Sequence, residues 1–328
     1  MDPLKPESFS HKHATVNGIR MHYVDEGVGP KTILCIHGFP DLWYGWRFQI
    51  PYLVSKGYRV IVPDVRGYGQ TDAPSAVEGY TSKGIASDMV ALLDVIGVHK
   101  VILAGHDWGG MHVWRMAMWY PERVIGAIVY CTPYTPTTAQ KPSLELIAKA
   151  NPNWMYQLYF RSRDSIKALN NELPLFLTAL FRTHNERAKT SIFSTTTPIE
   201  ERTITDVRGI ARSSLLSEAE LQYYISEYQR HGIEGPTNYY RVHEMTWQEE
   251  HDAGFLNTKI NLPCMMVTAG KDAALPAEWT KGMEDFIPTL MRDHIENSSH
   301  WVLVEQKELA NAALGKFLSA LETKESKL

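Results

Sequence analysis

The run Val101-Ile102-Leu103-Ala104-Gly105-His106-Asp107-Trp108-Gly109-Gly110 constrains this chain more than any other stretch. Four apolar residues read as a buried strand. A tight turn follows, and then the helical stretch Met111–Tyr120. Gly105 and Gly109 stand two residues before and after Asp107, where a sharp bend needs residues without a Cβ. This is the Gly-x-nucleophile-x-Gly elbow with a carboxylate at its centre. An aspartate after a strand often does no more than cap the next helix. The paired glycines favour a nucleophile that the bend exposes. A carboxylate nucleophile forms an alkyl ester, so it points to a strained or leaving-group-bearing carbon rather than to an amide or ester carbonyl.

The sequence around the elbow predicts a parallel sheet. Ala14–Arg20 and Met21–Gly27 read as a hairpin turning at Asn17-Gly18. Thr32–Ile36, Tyr58–Val62, Val101–Ala104 and Val124–Cys131 are short apolar, β-rich runs. Trp46–Lys56 and Ser82–Gly97 have helical spacing between them, with Ile85, Met89, Leu92, Leu93 and Ile96 on one face of the second. Strands alternating with helices predict a mostly parallel sheet covered on both faces. Pro133, Pro136 and Pro142 then end the alternation. The chain stays aromatic and helical to about Met245. Leu262–Ala269 and Arg292–Ile295 resume the strands, and Lys307–Leu321 reads as a closing helix. The expected organisation is a core in two parts, 1–135 and 246–328, interrupted by a helical insertion over 136–245.

Composition narrows the partners. The formal charge is −4 with scattered Lys and Arg, so no basic stripe suggests nucleic acid and no polybasic helix a membrane surface. No run of about 18 apolar residues suggests a membrane span. Met1–His13 lacks the apolar core of a signal peptide. The three cysteines, Cys35, Cys131 and Cys264, lie in or at the end of apolar runs and read as free buried thiols, with no spacing for a metal. The terminal Ser326-Lys327-Leu328 matches the peroxisomal tripeptide, which predicts an import receptor as partner and a peroxisomal or cytoplasmic location.

In parallel α/β sheets ligands gather at the carboxyl ends of strands. Four such ends here carry polar or glycine-rich turns: His37-Gly38-Phe39-Pro40, Asp107, Gly270-Lys271-Asp272 and Ser298-Ser299-His300-Trp301. The order nucleophile, acid, histidine is that of the α/β-hydrolase triad. Among 13 histidines, His300 follows the last strand and precedes a helix start, which is where this fold presents its base. His37 is expected to shape the first loop, and His106 to point away from the nucleophile. His11, His13, His184, His231 and His251 lie in polar stretches and read as mostly solvated. Asp272, Asp285 and Asp293 are candidates for the acid. Asp272 is favoured, because it follows a strand and Gly270 directly and Cys131–Gln140 holds no acid.

Taken together, the first loop, the Asp107 box and the Asp272/His300 pair resemble the soluble epoxide hydrolases of the α/β-hydrolase superfamily, roughly from Ala14 to Ala320. The resemblance implies an eight-stranded, mostly parallel sheet with a helical cap, in a form without the N-terminal phosphatase domain of some animal relatives. It implies that Asp107 is the nucleophile, His300 the base and Asp272 its orienting acid. The backbone N–H groups of Phe39 and Trp108 would form the oxyanion hole, and His37, Gly38, Pro40, Gly105 and Gly109 would shape its loops. Asn151-Pro152-Asn153-Trp154-Met155-Tyr156 and Gly235-Pro236-Thr237-Asn238-Tyr239-Tyr240-Arg241 resemble the two cap segments that donate to the epoxide oxygen, which places Tyr156 and Tyr240. Tyr159 and Tyr239 are the competing neighbours. An apolar epoxide and water are the implied substrates, with no cofactor. Haloalkane dehalogenases share the core motifs but commonly carry an Asn where Phe39 stands. Fluoroacetate dehalogenases carry Arg where Trp108 stands. A non-catalytic ligand-binding member of the fold is the reading from another class.

Overall fold

The computed structural model describes residues 1–151, 154–187 and 204–325. Pro152 and Asn153 of the first tyrosine segment lie outside the described residues, as do Ser326, Lys327 and Leu328. Strands β1 (His11–Val16) and β2 (Ile19–Glu26) pair antiparallel. Asn17 and Gly18 turn between them with φ of 45° and 78°, as a two-residue type I′ turn requires. Next come β3 (Thr32–Ile36), α1 (Gln49–Ser55), β4 (Arg59–Pro63), α2 (Ser82–Val95), β5 (Val101–His106), α3 (Trp108–Trp119) and β6 (Val124–Tyr130). After the helical region, β7 (Cys264–Ala269) and β8 (Leu290–Ile295) complete one sheet in the order β1-β2-β4-β3-β5-β6-β7-β8. All pairings from β4 to β8 are parallel, and only β1–β2 and β2–β4 are antiparallel. Every residue of β3, β5 and β7 is buried, which explains their unbroken apolar runs.

Two elements depart from the periodicity. Of the Trp46–Lys56 stretch only α1 is α-helical, with a 3-10 turn, Trp43–Trp46, before it and Pro51 in the helix's first turn where no intrahelical N–H is needed. The elbow helix starts at Trp108 rather than Met111, taking Gly109 and Gly110 into its first turn. A Cβ at Gly109 would overlap the Ile36 carbonyl, so close packing of α3 on β3 outweighs the poor helix propensity of glycine.

Between β6 and β7 the described elements are helical: α4 (Leu144–Ala150), α5 (Met155–Arg161), α6 (Arg163–Asn171), α7 (Leu173–Leu180), α8 (His184–Arg187), α9 (Glu218–Tyr228), α10 (Glu234–Asn238) and α11 (His243–Asp252). The boundary expected at 245 falls inside α11. A parallel bridge between Thr137 and Leu256 joins the two ends of this region. After β8, α12 (Val302–Glu305) and α13 (Lys307–Glu325) close the chain. No helix among the described residues is long and apolar enough to cross a membrane. The three cysteines are buried and unpaired.

Candidate active site

Asp107 sits at the apex between β5 and α3 with φ 54° and ψ −125°, a conformation L-residues rarely adopt. The Thr132 hydroxyl donates to the Asp107 carbonyl at 2.6 Å and braces the bend from the end of β6. In front of it lies the first loop, where the Phe39–Pro40 peptide is cis. The Phe39 N–H donates to Asp107 Oδ1 at 2.7 Å. A Cβ at Gly38 would overlap the Asp107 side chain, so glycine there lets the loop approach. His37 Nε2 accepts the Val65 N–H at 3.0 Å, and its Nδ1 donates to the Gly38 carbonyl at 2.9 Å, which ties this loop to the end of β4. Trp108 opens α3, so its N–H is one of the helix's unpaired terminal donors.

His300 lies between two carboxylates. Its Nδ1 is 2.8 Å from Asp272 Oδ2, and its Nε2 is 3.4 Å from Asp107 Oδ2. Asp272 Oδ1 accepts the N–H groups of Ala274 and Leu275 at 2.8 and 3.0 Å, which fixes the carboxylate on the turn after β7. Asp285 lies in a 3-10 turn and Asp293 on β8, and neither bonds His300. Burial alone disfavours a charged imidazole, but Asp272 and Asp107 outweigh it and lift the His300 pKa to about 10. Burial raises Asp107 too, and its bond to His300 and the nearby positive charge bring it below the usual carboxylate range. His106 turns its ring onto His300, with centroids 4.7 Å apart, and its Nε2 donates to the His300 carbonyl at 2.7 Å. His106, next to the nucleophile in sequence, is therefore a brace for the histidine loop. His106, Cys131 and His300 place ligand-type atoms within 4.8 Å of one another. The His300 nitrogens face carboxylates and the His106 Nε2 a carbonyl, while burial pushes the Cys131 thiol well up, so the trio is poorly suited to hold a metal.

The helical region brings tyrosines over this floor. Tyr240 is buried with its ring 5.2 Å from those of Phe39 and Trp108, and edge-on to both. Burial chiefly, with the nearby Tyr156 and Asp107, raises the Tyr240 hydroxyl pKa well above its ordinary value, so the hydroxyl keeps its proton near neutral pH. The half-buried Tyr156, on α5, lies 6.0 Å from the Tyr240 ring. Tyr239 turns away and donates its hydroxyl to the Arg66 carbonyl at 2.7 Å. Tyr159 packs beside Phe160 at 6.0 Å. Phe160, which periodicity did not single out, contacts Phe39, Tyr156 and Tyr240 at 5.0–5.6 Å.

Other contacts were invisible in the sequence because they join distant segments. Buried Asp41, two residues after Phe39, accepts the Tyr224 hydroxyl at 2.7 Å, and its carbonyl takes that of Tyr228 at 3.1 Å. Burial lifts the Asp41 carboxyl to about 7. Arg47 pairs with Glu220 at 2.7 Å, and Trp43 donates to the Tyr223 hydroxyl at 2.8 Å. Helix α9 is thus fastened to the loop that carries the Phe39 N–H. Two histidines expected in solvent are engaged instead. His11 Nδ1 meets His22 Nε2 at 2.8 Å, and His184 Nδ1 meets Glu305 at 2.6 Å.

Comparison with known proteins bears on the fold and the family. Residues 31–307 match the family model described as alpha/beta hydrolase fold. The chain is 36% identical to epoxide hydrolase srdG of Neurospora crassa, covering 97% of this chain and 98% of that one. It is also 36% identical to bifunctional epoxide hydrolase 2 of Sus scrofa over 95% of this chain, and it spans about half that relative's length, 56%. The solved structure of epoxide hydrolase A from Mycobacterium thermoresistibile superposes with a TM-score of 0.83 at 31% identity, covering 95% of this chain and 98% of that one. The fold and elbow define an α/β hydrolase. Within that class, the chain belongs to the epoxide hydrolase family.

Proposed function

We propose that this protein opens epoxides on Asp107 and releases vicinal diols. The observation that carries the reading is a carboxylate nucleophile held by the Phe39 N–H, beside a pair of tyrosines, Tyr240 packed edge-on to Phe39 and Trp108 and Tyr156 next to it. The helical region over 136–245 acts as the cap that delivers Tyr156 and Tyr240. Asp107 Oδ1 stays on the Phe39 N–H while Oδ2 attacks an epoxide carbon from the rear. The carbon–oxygen bond of the ring breaks. The alkoxide takes a proton from Tyr240 or Tyr156, which together hold the epoxide oxygen.

Ester formation removes the Asp107 charge, one of the two that hold His300 protonated. The imidazole proton then passes, through solvent, to the tyrosinate left by ring opening, which restores the tyrosine and leaves a neutral imidazole able to act as a base. His300 Nε2 takes a proton from water, and the water oxygen attacks the Asp107 carboxyl carbon. Negative charge develops on Oδ1, where the N–H groups of Phe39 and Trp108 receive it. One such donor is typically worth about 3–4 kcal/mol in the transition state. Collapse breaks the bond between the carboxyl carbon and Oδ2. The diol leaves with Oδ2 and a proton from His300, and Asp107 retains the water's oxygen. Asp272 orients the imidazole and stabilises its charged form.

A single turnover in heavy-oxygen water tests the sequence. The label is expected in Asp107 and only later in the diol; label in the diol first would mean direct attack by water. The dehalogenase reading lacks an amide side chain at Phe39 to receive a halide. Diol formation from styrene oxide without halide release from a bromoalkane separates the two.

A further inference from the structure

The turn after Tyr240 carries two residues that the epoxide chemistry leaves unused, Arg241 and His243. With Arg161 of α5, Leu144 and Ile147 of α4, and Glu244, they line a small cleft with about 20 Å³ of room for the centres of water-sized groups. The Arg241 side chain is only 18% exposed. Its Nε donates to the Arg161 carbonyl at 3.3 Å and its Nη1 to Asn238 Oδ1 at 3.0 Å. Its buried Nη2 has no acceptor among the described residues, and neither does His243 Nε2. Leaving such donors unpaired is costly.

Three other buried guanidinium groups have close carboxylate partners, although Arg115 Nη1 also lacks an acceptor among the described residues, and the buried Arg182 bonds only carbonyls there. Arg47, Arg66 and Arg115 meet the buried carboxylates of Glu220, Asp88 and Glu250 at 2.7–2.8 Å. The carboxylate that Arg241 meets, Glu234, is 3.8 Å away and 59% exposed. Arg161 Nη1 reaches the exposed Glu145 at 3.1 Å, and Glu244 is neutralised by Lys141 at 2.6 Å. Burial, only partly offset by Glu234, holds the Arg241 pKa below its ordinary value. Burial also takes the His243 pKa down to about 4, so near neutral pH its ring is uncharged and one nitrogen donates.

We infer that this cleft binds a carboxylate-sized anion between the guanidinium groups of Arg241 and Arg161, with His243 Nε2–H as a third donor. A planar guanidinium matches a carboxylate in shape as well as charge. The site also touches the chemistry, because the His243 ring lies 5.4 Å from Trp108 and Arg241 follows Tyr240 directly. The occupant is either a free small carboxylate or the acidic end of an epoxide substrate. Only the second source rests on the proposed activity.

Thermal unfolding of the full chain tests binding without reference to turnover. Acetate, compared with a bulky sulfonate at equal ionic strength, is expected to raise Tm saturably by about 2–4 °C. Arg241→Gln should abolish the rise, and Arg161→Gln, at a more exposed position, should reduce it. No rise in the wild type, as for a cleft that holds only water, overturns the inference. So does an equal rise in both variants. KM values then identify the source. If an epoxide with a terminal carboxylate has a KM at least about fivefold below that of its methyl ester, and Arg241→Gln erases the difference, the substrate's own tail is bound. If the two KM values are equal while the acetate shift persists, the ligand is a free anion.

Discussion

At the scale of single residues, the assignment of roles turns on hydrogen-bond supply. Tyr239 and Tyr240 are adjacent, yet the Tyr239 hydroxyl is spent on the Arg66 carbonyl while the Tyr240 ring packs edge-on to Phe39 and Trp108 beside the nucleophile. Tyr240→Phe is therefore expected to lower kcat by about 10²-fold or more, the usual range for a lost general acid. Tyr239→Phe should leave kcat within a few-fold and cost about 1 kcal/mol of stability, as measured by urea unfolding. Equal kcat losses would mean that the wrong tyrosine has been chosen. His300→Gln separates the two half-reactions. The variant keeps a side chain of similar reach but has no base, so substrate should add to Asp107 and stay there. Mass spectrometry should find alkylated enzyme, and an inactive, unmodified protein would contradict the role given to His300. Asp107, Asp272 and His300 were legible in the sequence because each follows an apolar strand at a turn. Asp41 and Thr132 were not, since an Asp after Pro and a Thr after a strand have no signal until their partners are known.

At the scale of elements, the strands were readable because burial on both faces leaves only apolar side chains. Helix α9 shows the opposite case. Its start carries a capping box, Ser217 with Glu220, so the same Glu220 that caps the helix also reaches Arg47. The two partners stand 173 residues apart, and no local pattern announces such a pair. Arg47 is fully buried and the Glu220 side chain is 8% exposed, so removing one partner strands a charge. Arg47→Met is expected to cost about 3–5 kcal/mol. Glu220→Gln keeps the cap and should cost less than Glu220→Leu. Arg47→Met with Glu220→Leu should recover most of the loss, because an apolar pair of similar volume replaces the ionic one. Urea midpoints of the single and double variants measure the coupling. Additive losses would show that α9 is held by its tyrosine contacts to Asp41 and Trp43 rather than by the ion pair.

At the scale of the whole molecule, the buried titratable groups set how stability follows pH. Burial, chiefly, lowers His106 to about 4, His112 to about 3 and His243 to about 4. The unfolded chain takes up protons at these positions below about pH 6.5 while the folded chain does not. Their contribution is fully present above pH 6.5 and is lost as pH falls through the folded values. His300 has the opposite sign. Its folded pKa of about 10 gives stability that is complete below pH 6.5 and lost as pH rises toward 10. Asp41, lifted from 3.8 to about 7, gives stability that is complete below pH 3.8 and lost as pH rises to 7, so it partly offsets the histidines on the acid side. With three lowered histidines against it, the acid side should still slope downward between pH 6.5 and 4. His112 isolates the effect, because neither of its ring nitrogens has a partner among the described residues and no catalytic role falls on it. For one such histidine, the loss between pH 7 and pH 5 is about 2 kcal/mol. His112→Leu should therefore shrink the fall in unfolding free energy over that interval by about this amount. A fall of the same size in variant and wild type would place the acid sensitivity elsewhere.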